Sequence, residues 1–127
     1  MITGVTHISV LVTDQDKALD FYTNILGLEV HTDAQFDEMR WLTVNPKGNP
    51  HFEIALMLID KDSEDLIHEI AENAPVCVFS TDDCRKEYET LKAKGVEFLD
   101  EPTEEEWGVA CNFVDPFGNA FHLSQLN

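Results

Sequence analysis

From Val5 to Val12 the chain alternates, with Thr6, Ile8, Val10 and Val12 on one side and His7, Ser9 and Leu11 on the other. A two-residue period of this kind predicts a half-buried strand. The period then changes. Ala18, Phe21, Tyr22, Ile25 and Leu26 recur at i, i+3, i+4, i+7 and i+8, which predicts a helix capped by Thr13 or Asp14 and stopped by Gly27. Three strand-like runs follow: Leu28 to Val30, Met39 to Val44 and Phe52 to Ile59. The NPKGNP turn joins the last two as a hairpin, so the first half reads βαβββ.

The second half repeats that order, with strand Val76 to Ser80, a helix from about Asp83 to Lys94, and strands Val96 to Leu99, Gly108 to Val114 and Ala120 to Ser124. Thr13-Asp14 is echoed by Thr81-Asp82 and Gly27-Leu28-Glu29-Val30 by Gly95-Val96-Glu97-Phe98, both at an offset of 68 residues. Asn45-Pro46-Lys47-Gly48-Asn49 returns as Asp115-Pro116-Phe117-Gly118-Asn119 at an offset of 70. Between the halves, Leu66, Ile67, Ile70 and Ala71 are spaced for a short linking helix over Ser63 to Glu72. The expectation is one α+β domain: a module over about 1–60, a linker helix over about 61–73 and a second module over about 74–127.

Composition narrows the partners. With 8 basic and 25 acidic residues in 127, the net charge is −17. Such a chain lacks the Lys/Arg clusters that phosphate backbones and anionic lipid surfaces require, so neither nucleic acid nor membrane is expected as a partner. The longest apolar run, Ile54 to Ile59, has six residues, where a membrane-spanning helix needs about 20. No basic residue precedes Lys17, which argues against a secretory leader and for the cytoplasm. Three cysteines, Cys77, Cys84 and Cys111, with no CxxC spacing, read as reduced thiols. Asp100 to Glu106 carries five acids in seven residues and reads as a solvated loop.

VTHISVLVTDQDKALDFYTNILGLEV at the start and WGVACNFVDPFGNAFHLSQ at the close resemble the vicinal oxygen chelate superfamily, which includes glyoxalase I, bleomycin and fosfomycin resistance proteins and extradiol dioxygenases. The resemblance implies two βαβββ modules forming a partial barrel around a cavity, and a homodimer. It does not imply one reaction.

Strand alternation selects the side chains facing that cavity. On the first strand these are His7, Ser9 and Leu11; on the last strand of the first module, His51, Glu53, Ala55 and Met57; on the final strand, Ala120, His122 and Ser124. Trp41 and Trp107 are wall candidates, and Cys77 is expected to share the cavity face with Phe79. In the superfamily, metal ligands occupy the first and last strands of each module, which here means His7, Glu53, position 75 and His122. Position 75 is Pro75, which offers no side-chain ligand. His7, Glu53 and His122 would suit Fe, Mn, Ni or Zn, with Glu53 also placed to take a proton. The Phe121-His122-Leu123 and Phe52-Glu53-Ile54 triplets align at an offset of 69, so the register of Glu53 is open by one residue and His51 is the reserve. His31 and His68 read as bystanders. Two functions stand: a divalent-metal-dependent lyase, isomerase or dioxygenase acting on a small oxygenated substrate, and a metal-free small-molecule binding protein of the bleomycin-resistance type.

Overall fold

A computed structural model describes residues 1–127, which divide into two compact units, Met1–Asp62 and Ser63–Asn127. The first unit runs β1 (His7–Val12), α1 (Gln15–Asp20, continued by a π-turn over Phe21–Ile25), β2 (Glu29–Phe36), β3 (Met39–Asn45) and β4 (Glu53–Leu58). Its sheet has the order β1-β4-β3-β2, with β1 and β4 parallel and the other pairs antiparallel. The N-cap of α1 is Asp14, whose carboxylate accepts from the Lys17 N–H at 3.0 Å. Gln15, buried at the helix start, donates to the backbone oxygens of Leu56 at 2.8 Å and Arg40 at 3.1 Å. Val10, Val12, Leu42, Val44, Ile54 and Leu56 form the buried face of the sheet, and Ala18, Phe21 and Tyr22 supply the buried side of the helix. The opposite face of the sheet has no helix from this unit, which leaves His7 and Ser9 accessible.

The sequence pattern under-reads β2. It extends to Phe36 rather than stopping at Val30, and a tight turn at Asp37 and Glu38, with Asp37 at φ +54°, makes a second hairpin with β3. Glu29, Asp33 and Gln35 hide it, because this is the sheet's edge strand, where charged side chains are common and alternation is weak.

The second unit contains α2 (Asp65–Asn73), β5 (Val78–Ser80), α3 (Cys84–Ala93), β6 (Glu97–Phe98), β7 (Thr103–Glu105), β8 (Gly108–Val114) and β9 (Ala120–Leu126). Its sheet has the order β5-β9-β8-β6, with β7 also paired to β8. Asp83 caps α3 by accepting from the Lys86 N–H at 3.1 Å. Buried Asp115 organises the turn between β8 and β9: its Oδ1 accepts from the N–H groups of Phe117 at 2.9 Å and Asn119 at 2.8 Å, and its Oδ2 from Asn119 Nδ2 at 2.8 Å. The acidic stretch expected as a loop is in part strand β7, exposed throughout but hydrogen-bonded to β8. No helix is long and apolar enough to cross a membrane. Each sheet is open, so neither unit closes a barrel by itself.

Contrary to the sequence pattern, Cys77 and Phe79 do not share the face of His122. Phe79 pairs with Leu123 and packs its ring 5.1 Å from Phe121 and 6.2 Å from Phe113, all on the buried side. Alternation then carries Cys77 to that side too, opposite to the face of His122. Burial pushes the Cys77 thiol up to about 11 and the Cys111 thiol up to about 12. Both folded values lie above the unfolded value of about 8.5. Stability is therefore unaffected below about pH 8.5 and declines as pH rises from there towards 11–12. Alkylation by iodoacetamide at pH 8 should be slow for all three cysteines and become fast only in denaturant; rapid labelling of Cys111 in the native protein would contradict this packing.

Candidate functional site

Parallel pairing of β1 with β4 puts His7 directly beside Glu53, which settles the register: Glu53 is the first residue of β4, whereas His51 lies exposed in the turn before it. His7 Nε2 stands 2.8 Å from Glu53 Oε2. On β3, buried Thr43 donates its hydroxyl to Glu53 Oε1 at 2.7 Å. His31 completes the set, with Nδ1 at 2.9 Å from the same oxygen. One carboxylate is thus held by two imidazoles and a hydroxyl, and its side chain is only 14% exposed.

His31 was missed because the sequence pattern ends the strand at Val30, one residue before it, whereas β2 runs through it. Val30 pairs with Val44 and Thr32 with Thr43, so His31 has no partner of its own on β3. A bulge places the extra residue and its neighbour opposite one residue of the partner strand, here Thr43, on the side that carries Glu53. The run of letters around 31 carries no signal of this. Trp41 lies two residues before Thr43, its ring centroid 5.9 Å from that of His7. Ser9 is exposed and pairs with Ala55. His68 belongs to the second unit, against Gly118.

In the second unit, His122 is paired with Val78 on one side and Asn112 on the other. Its Nδ1 is 2.9 Å from Asn112 Oδ1. Trp107, exposed just before β8, has its ring 6.3 Å from that of His122.

The donor set does not fit a metal ion. The imidazole nitrogens that face Glu53 sit at hydrogen-bond distance from its oxygens, where each must carry a proton rather than offer a lone pair. The remaining nitrogen of His7 is 2.7 Å from Thr6 Oγ1. No group of three or more His, Cys, Asp or Glu side chains is placed to hold a cation. What the arrangement provides is a rigid polar cluster beside an aromatic ring, a composition suited to orienting a small organic molecule.

Comparison with known proteins agrees with this architecture. The model of the Glyoxalase/Bleomycin resistance protein/Dioxygenase superfamily matches residues 4–123, and the chain belongs to that superfamily. The uncharacterized protein YetH of Bacillus subtilis (strain 168) is 36% identical over 98% of this chain and all of its own. Among solved structures, UcmS2 is 36% identical with a TM-score of 0.89, covering 98% of both chains. TnmS3, an antibiotic binding protein from Streptomyces sp. CB03234, is 30% identical with a TM-score of 0.79, covering 99% of this chain and 98% of its own.

Proposed function

We propose that this protein binds small organic ligands without a metal, the first unit on the open sheet face that carries His7, Trp41 and Glu53 and the second on the one that carries Trp107 and His122. The observation that carries the reading is the engagement of Glu53 by His7, His31 and Thr43, which leaves it a fixed acceptor rather than a ligand awaiting a cation. Such a cluster costs no reorganisation when a ligand arrives, which favours affinity. The likeness to an antibiotic binding protein supports the same class of function. The homodimer implied by the family resemblance belongs to this reading, since Leu58, Val78 and Leu126 are exposed large apolar side chains.

Thermal denaturation against a panel of small aromatic compounds tests the proposal. A ligand present at 100 times its Kd should stabilise the protein by about 2.7 kcal/mol. Calorimetry with Mn(II), Ni(II) and Zn(II) should show no stoichiometric binding at micromolar concentration. Stoichiometric metal binding lost in His7→Ala or His122→Ala would instead restore the metal-dependent lyase, isomerase or dioxygenase reading.

A further inference from the structure

The acidic stretch that opens at Asp100 is not merely solvated, because Asp100 is pinned. Its Oδ1 accepts from the backbone N–H of Asn112 at 2.7 Å, and its Oδ2 from Asn112 Nδ2 at 2.9 Å. An ionised carboxylate only accepts, so this two-point hold fixes which end of the amide faces it. The nitrogen of Asn112 points to Asp100 and the oxygen points away, towards His122 on the neighbouring strand. That oxygen, 2.9 Å from His122 Nδ1, is also only an acceptor. The proton of the neutral ring must therefore sit on Nδ1, and Nε2 must hold the lone pair. Nothing in the structure engages Nε2, and the exposed ring of Trp107 lies alongside.

We infer that Asp100 and Asn112 are positioning residues that lock His122 in its Nδ1–H form, so that Nε2 accepts a hydrogen bond from a hydroxyl or amide N–H on an aromatic ligand lying against Trp107. The ligand half rests on the metal-free binding reading; the tautomer half stands on the relay alone. The relay explains why a lone pair is held ready on a face that binds neutral donors. It also separates two residues, 100 and 112, that contact no ligand from the histidine that does.

Nitrogen-15 correlation spectra of histidine-labelled protein at pH 8 read the tautomer directly. The expected pattern is a protonated, pyrrole-like Nδ1 and a bare, pyridine-like Nε2 at His122. The reverse pattern would overturn the relay. Asp100→Ala frees the Asn112 amide to rotate and should move His122 towards the Nε2–H form; Asn112→Ala, which deletes the acceptor outright, should do the same if the first variant folds poorly. An unchanged tautomer in both folded variants would also overturn it. For recognition, 2-naphthol and 2-methoxynaphthalene share one ring system and differ in the donor. The parent should bind the naphthol roughly fivefold more tightly, the size of one net hydrogen bond, as read by calorimetry. That preference should vanish in His122→Phe and shrink in Asp100→Ala. Equal affinities in the parent, or binding of neither compound, would overturn the recognition role. A hit elsewhere in the aromatic panel would meanwhile leave the metal-free binding reading standing.

Discussion

Gly108→Ala should destabilise the second unit by at least about 3 kcal/mol and lower its melting temperature by roughly 12 °C. Gly108 opens β8 at φ +153°, and a Cβ built there would collide with the Gln125 carbonyl oxygen and lie 2.9 Å from its carbon and 3.1 Å from Leu126 Cα. All three are backbone atoms of β9. They cannot retreat without opening the ladder in which Gly108 pairs with Leu126 and Val109 with Gln125. That ladder seats buried Phe121 and Leu123, so relief at one end costs packing along the strand. Gly118→Ala is the informative control. At φ +97° it is also strained, but the atoms a Cβ would meet at 2.6 and 2.8 Å belong to the exposed His68 ring, which can swing away. Its loss should be nearer about 1 kcal/mol. Equal melting temperatures for the parent and Gly108→Ala would refute the close approach of the two strands.

Glu53→Ala should cost about 2 kcal/mol in urea unfolding and abolish ligand affinity. Of the three donors released, Thr43 decides the size of the effect. Its residue is 0% exposed, so its hydroxyl has no water to replace the lost carboxylate. The two histidine side chains are 37% and 34% exposed and recover most of what they lose from solvent. Glu53→Gln keeps an oxygen for Thr43 and should be milder. Adding Thr43→Val to Glu53→Ala removes the orphaned donor as well and should restore much of the stability without restoring binding. A double variant no more stable than Glu53→Ala alone would show that the carboxylate acts through some other contact.

The duplicated strand, helix and turn signals place most elements of both units in the sequence; of the two cap candidates for α1 the structure uses Asp14, and α3 starts just after Asp83. Alternation also puts His7 and Glu53 on one face, because both strands are regular where these residues fall. It does not reach His31, because the apolar pattern of β2 fades after Val30 and the charged edge strand beyond it carries no strand signal. It fails at Cys77 and Phe79, since β5 is three residues long and a short run has no phase of its own. The Asp100–Asn112–His122 relay spans three separate segments and rests on an amide orientation, which no linear pattern encodes. Charge misled in the same region: a dense acidic run reads as solvated, yet one of its carboxylates is a fixed acceptor and three of its residues form a strand.

The bulge in β2 changes the way this cluster can vary. Val30 already faces Val44 and Thr32 already faces Thr43, so a chain lacking residue 31 would pair as an unbroken ladder. The second imidazole on Glu53 is therefore a detachable part, gained or lost by inserting or deleting one codon rather than by exchanging one side chain for another. Across relatives, this contact would travel as a difference in strand length, and an alignment read column by column would record a gap where the chemistry had changed.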